Sequence, residues 1–262
     1  MSQQLRDQVK RIQLRCRLIF TRPTPFIIVS NGRSGSNLLL NLLSSHPRVK
    51  HCGERFTDNR MKREDFSDRD LLSEFKQDLQ RKGFEKAIGA KFLYYQLEAD
   101  YADRFNAPGL RDVQQYLLQN RRMRIVHLTR RNVLRTVISM IVAAKTGVYR
   151  AHDKTQLPSD ATVDVSPADC LARLQLVRNF EAKTRQQFCH HPMLEMVYEE
   201  LVANQDQATD RLLRFLNVDP MPLSGRMVRQ SKSLRDSVSN FDELAAALAG
   251  TEWESMLTDD VV

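Results

Sequence analysis

Ser30 to Ser36, read as Ser-Asn-Gly-Arg-Ser-Gly-Ser, is the stretch of this chain whose residue types most directly suggest chemistry. Gly32 and Gly35 allow backbone conformations that other residues resist, Arg33 brings a full positive charge, and Ser34 and Ser36 bring hydroxyl donors. Before it lie four apolar residues, Phe26 to Val29; after it Asn37 to Leu43 is apolar on nearly every side. The order is strand, small-residue turn, helix. A helix start presents unpaired N–H groups and a positive dipole end to an anion that can come close, so this stretch predicts a phosphate cradle. It is not a Walker turn, because Gly35 is followed by Ser36 and Asn37 rather than by Lys, and a nucleotide kinase or ATPase is disfavoured. An ordinary tight turn before a capped helix would use the same residue types.

A second pair suited to an anion lies further on. Arg131 and Ser139 flank the start of an apolar segment, with Asn132 at a helix N-cap position. Ser139 falls about two helical turns on, and an Arg at the helix start can fold toward it, so that the two grip a terminal phosphate. Alone, the same residues also fit a surface charge and a hydroxyl bonded to its own helix.

The elements that must position these groups alternate. Phe26 to Val29, Ile88 to Tyr95, Arg124 to Thr129 and Leu194 to Tyr198 read as strands. Between them, helical stripes run through Leu71 to Leu79, Arg111 to Arg122, the segment from Asn132, Leu171 to Phe188 and Ala208 to Leu216. This alternation predicts an α/β fold with a mainly parallel sheet covered on both faces, in which ligands bind beyond the carboxyl ends of the strands. Both anion-binding stretches follow strands directly, so they are expected to meet on one sheet edge. The 262 residues are read as one domain, with a basic segment over 1–24 and an exposed loop or lid over 146–167.

Composition narrows the partners. A net charge of +8 favours anionic ones, and a nucleic-acid binder using the basic runs stays an alternative, although no zinc-finger spacing or RNA-recognition consensus supports it. Cys16, Cys52, Cys170 and Cys189 are scattered without a C-x-x-C pair, which suits free thiols in a reducing compartment such as the cytoplasm. His190 and His191 read as loop residues, not metal ligands. No apolar run approaches the ~20 residues of a membrane span, and the basic opening segment does not read as a secretory signal.

FIIVSNGRSGSNLLLNLLSSHP resembles the 5′-phosphosulfate loop of sulfotransferases that use 3′-phosphoadenosine-5′-phosphosulfate (PAPS), and HLTRRNVLRTVIS resembles their 3′-phosphate segment. The tail VYEELVANQDQATDRLLRFLNV and the later SNFDELAAAL are similar to the end of bacterial carbohydrate-type members. The resemblance implies a P-loop-like three-layer α/β/α fold, PAPS as donor with PAP as product, and no metal. It carries over Arg33, Ser34, Gly35, Ser36, Asn37 and Leu38 to the 5′-phosphosulfate, and Arg131 and Ser139 to the 3′-phosphate. Lys232, in RQSKSLRDSVS, falls in a segment similar to the one that closes over the nucleotide.

For catalysis the resemblance implies Glu54 of the Gly53-Glu54 pair as general base; Arg33 supplies positive charge where the leaving group forms, and Lys91 either neutralises charge on the transferring group or reaches the sheet edge as a strand lysine. His51 and His127 are read as structural histidines, with the base role held in reserve for them. The Lys-Thr-His strand of phenol and steroid enzymes is absent, since Lys91 is followed by Phe92 and Leu93. A carbohydrate, glycolipid or other polar acceptor is accordingly expected. Partners implied are a small-molecule or glycan acceptor, no nucleic acid and no transmembrane segment; a homodimer stays open, as does a nucleotide-binding relative that has lost transfer.

Overall fold

The computed structural model describes residues 22–80, 83–147, 162–225 and 233–258. Its centre is a sheet of five parallel strands: β1 (Thr24–Ser30), β2 (Val49–Glu54), β3 (Ala87–Leu93), β4 (Arg124–Thr129) and β5 (Met193–Val197), in the spatial order β2-β3-β1-β4-β5. Helices cover both faces, which makes a three-layer α/β/α arrangement. The chain leaves β1 toward one edge and later returns past it toward the other, so the carboxyl end of β1 lies where the winding direction changes.

The apolar run of β1 is explained by this position. Alternate side chains point to opposite faces of a strand. Phe26 and Ile28 pack on one face against Leu39, Leu42 and Leu43 of α1 (Ser36–Ser44). Ile27 and Val29 pack on the other with Phe75 of α3 (Leu71–Asp78), which follows the short α2 (Asp58–Arg63). After β3, a 3₁₀ turn (Tyr94–Leu97), α4 (Ala99–Arg104) and α5 (Pro108–Gln119) complete that layer, with Leu110, Val113 and Leu117 inside it.

A third apolar cluster joins α6 (Val133–Thr146) to α7 (Pro167–Gln187). Beyond β5 come α8 (Tyr198–Ala203), α9 (Gln205–Phe215), α10 (Leu234–Ser237) and α11 (Phe241–Leu248). Among the described residues no helix is long and apolar enough to cross a membrane.

Three features differ from the sequence-based expectations. The strand β2 was not expected: Val-Lys-His-Cys-Gly-Glu has only one clearly apolar residue at its buried end, because an edge strand is only half covered. The third strand stops at Leu93, where the backbone enters the 3₁₀ turn. In the region read as an exposed loop or lid, 148–161 lie outside the described residues, but Val163 and Val165 are 1% and 2% exposed. Val163 forms a parallel bridge to Val238, so the segment entering α7 is anchored in the third cluster rather than exposed.

Candidate active site

The turn between β1 and α1 is tightly specified. Gly35 has φ 90°, and a Cβ there would lie 2.3 Å from Cδ2 of Tyr198, at the start of α8. Glycine is therefore required for both conformation and space. Arg33 also lies in the left-handed region, at φ 66°. Ser34 and Ser36 are buried, Ser36 opens the helix with Asn37 in its first turn, and Leu38 is partly buried against the α1 cluster.

The two basic stretches do adjoin. Arg33 donates from Nε to Ser139 Oγ on α6 at 2.9 Å, and Arg130 donates from Nη1 to the Arg33 carbonyl at 3.4 Å. The Arg130 guanidinium also stands over the Tyr198 ring, 4.7 Å from its centroid, a cation–π contact. Burial lowers the Arg33 pKa below the ordinary arginine value, yet arginine remains a cation across the physiological range.

Arg131 and Ser139 are not joined to each other as their spacing suggested. The Glu199 carboxylate, 4% exposed, accepts the backbone N–H groups of Arg131 and Asn132 at 3.0 and 3.3 Å. With the backbone held there, the Arg131 side chain runs outward to Glu200 Oε1 at 2.5 Å. Asn132 is the expected cap, accepting from Arg135 N at 3.0 Å.

Beside the cradle stands a second group of side chains. Lys91, buried on β3, donates from Nζ to Asn37 Oδ1 at 2.9 Å and pairs with Glu54 Oε2 at 2.7 Å. The other Glu54 oxygen accepts from Gln96 Nε2 at 2.9 Å, and the same amide donates to the Phe56 carbonyl at 2.7 Å.

Glu54 reaches Lys91 because β2 is irregular. His51 pairs with Gly89 but Glu54 pairs with Lys91, so three steps on β2 match two on β3. One extra residue is the signature of a β-bulge. Gly53, at φ 67°, absorbs it. In a regular strand Glu54 would face the opposite side from Lys91.

The other predicted residues fall elsewhere. Lys232 lies outside the described residues. His51 Nε2 lies 2.7 Å from Ser44 Oγ and 3.1 Å from the Leu40 carbonyl. His127 is wholly buried between Tyr94 OH and Glu195 Oε1, each at 2.9 Å. His191 lies in the loop between α7 and β5, as expected, and is buried there with Nε2 3.1 Å from the Leu117 carbonyl. Sequence reasoning missed Gln96, Tyr198 and Glu199, because a lone amide, phenol or carboxylate carries no spacing signal; only the fold brings Tyr198 to the cradle, Gln96 to Glu54 and Glu199 to the start of α6.

Taken together, a helix start, buried hydroxyls and a desolvated arginine can hold an oxyanion, while a carboxylate beside an ammonium can handle a proton and the charge that accompanies its transfer. The family model described as "Sulfotransferase family" matches residues 25–222. Nodulation protein H of Rhizobium tropici is 26% identical over 235 residues, covering 87% of this chain and 90% of that protein. Nodulation protein H of Rhizobium meliloti strain 1021 is 24% identical over 238 residues, covering 87% and 92%. A sulfotransferase structure from Alicyclobacillus acidocaldarius aligns over 90% of this chain and 96% of that one, with a TM-score of 0.47 and 16% identity. With three quarters of its length matched by that family model, from just inside β1 to beyond α9, this chain belongs to the sulfotransferase family.

Proposed function

We propose that the protein moves a sulfuryl group from PAPS to a hydroxyl of a carbohydrate, glycolipid or other polar metabolite, with Glu54 as general base. The observation that carries this reading is Lys91, whose ammonium joins the Glu54 carboxylate to Asn37 at the start of the cradle helix. The donor supplies the sulfuryl group and leaves as PAP with the electron pair of the broken S–O bond. Glu54 takes the proton of the acceptor hydroxyl as the new O–S bond forms, a role that Gln96 supports by fixing the carboxylate. Arg33, Lys91 and the N–H groups of α1 place positive charge where negative charge accumulates, so little reorganisation is needed during transfer.

For the donor's far end, Ser139 and Arg131 are the proposed 3′-phosphate contacts. Arg131 is already an exposed cation and exchanges Glu200 for phosphate, while Ser139 is tied to the cradle through Arg33. Cys52, Cys170 and Cys189 are free thiols, which supports a cytoplasmic setting.

Glu54→Gln tests the base. The variant keeps the Lys91 and Gln96 neighbours but cannot accept a proton. PAP binding by calorimetry is expected to be retained, with kcat reduced about 10²- to 10⁴-fold. Turnover at the parental rate would remove Glu54 from the mechanism.

A further inference from the structure

A cavity of about 280 Å³ lies between α6, α7 and the chain that follows β3. Its inner wall is apolar, built from Val137 and Met140 of α6 and Val177 and Phe180 of α7. Tyr95 and Tyr101 close the side toward β2. Burial raises the pKa of both phenols above the ordinary tyrosine value, with nearby Asp58 adding to the rise at each, so they present neutral rings. The Tyr101 hydroxyl is already committed, donating to the Phe56 carbonyl at 2.8 Å and Asp58 Oδ1 at 2.9 Å. Asp100, Arg104 and Arg173 also line the cavity and are exposed, and the partly buried Glu98 is already paired with Lys183, so the wall formed by α6 and α7 stays apolar.

This space adjoins the candidate active site. Asn31, buried between Ser30 and the cradle glycine Gly32, lines it and donates from Nδ2 to Met140 Sδ at 3.2 Å. Met140 follows Ser139, and Tyr95 precedes Gln96, the residue that orients Glu54. The volume is just under the roughly 300 Å³ at which whole-ligand sites begin, so it holds one part of a ligand. A sugar ring pressed against Val137 and Val177 would bury hydroxyls without partners, which is unfavourable; a hydrocarbon group would not.

We infer that the acceptor is amphipathic: its hydroxyl is presented to Glu54, and a hydrocarbon portion of the same molecule occupies the cavity between α6 and α7. This rests on the reading of Glu54 as base and narrows the acceptor to a molecule with an apolar appendage. Leu176, lining the cavity yet 50% exposed, extends the apolar path outward from it.

Calorimetric titration with n-octyl β-D-glucoside below its micelle concentration, beside methyl β-D-glucoside, tests the assignment, with PAP titrated separately. Each buried methylene is worth about fourfold in Kd, so the octyl compound is expected to bind at least about tenfold tighter. Leu176→Asp, at an exposed position the fold tolerates, is expected to remove about tenfold of that preference and leave PAP affinity unchanged. Equal binding of the two glucosides, or an octyl affinity indifferent to Leu176→Asp, would overturn the proposal. Octyl-selective binding without any PAP binding would instead overturn the donor reading and leave the cavity as an apolar site.

Discussion

Lys91 Nζ stands between a carboxylate and a side-chain amide in a nearly closed environment, and its surroundings make it hard to replace. Glu54 and Lys91 side chains are 8% and 4% exposed. Removing one partner of a buried ion pair leaves the other charge without compensation, so Lys91→Met is expected to lower stability by about 3–5 kcal/mol, measured by urea unfolding. Arg131 offers the contrast. Its pair with Glu200 lies at the surface, with side chains 58% and 44% exposed, where such pairs contribute about 0–1 kcal/mol. Arg131→Ala is therefore expected to leave stability nearly unchanged while weakening PAP about 10- to 100-fold, the worth of a hydrogen bond to a charged group. Adenosine 5′-phosphosulfate, which lacks the 3′-phosphate, should lose little. Equal losses for both ligands would remove Arg131 from the 3′-phosphate site.

At the scale of the element, the bulge in β2 is what converts a strand into part of a site. A Cβ at Gly53 would meet nothing within 4 Å, so the glycine is needed for its positive φ and not for space. Asn accepts that conformation and β-branched residues do not. Gly53→Asn is expected to retain most activity, whereas Gly53→Val should lower kcat at least about tenfold with PAP affinity maintained, because Glu54 would turn away from Lys91. Similar kcat values for the two variants would separate the bulge from catalysis. The turn before α1 has no such latitude, since Gly35 carries both a positive φ and the Tyr198 ring against it.

The whole molecule places these elements by winding in two directions from β1, which sets the carboxyl ends of β3, β1 and β4 side by side. The far edge depends on charge: Glu195 on β5 meets His127 at 2.9 Å and Arg185 at 3.0 Å. Burial pushes the Glu195 carboxyl up, but the hydrogen bonds and charges of His127 and Arg185 outweigh it and hold the pKa below the ordinary glutamate value. A depressed pKa contributes stability above the unfolded value that is lost as pH falls through the folded one. The difference in melting temperature between the parent and Glu195→Gln is therefore expected to be largest near neutrality and to shrink as pH drops below about 4. A difference that stays constant with pH would show that the carboxylate's charge is not what stabilises this edge.

By itself the sequence determined the glycine turn between β1 and α1, the α/β class and four of the five strands, because strands covered by helices are rich in apolar residues and a turn at positive φ against a packed ring needs glycine. It also carried Glu54 and Lys91 as residues of interest. Only the tertiary structure decided that the two touch, since pairing across β2 and β3 depends on a one-residue bulge that periodicity does not reveal. The same holds for Ser139, whose partner is Arg33 rather than Arg131. Local pattern specifies which way a side chain faces along its own element; which neighbour it meets is set by how separate elements pack, and that is a long-range property.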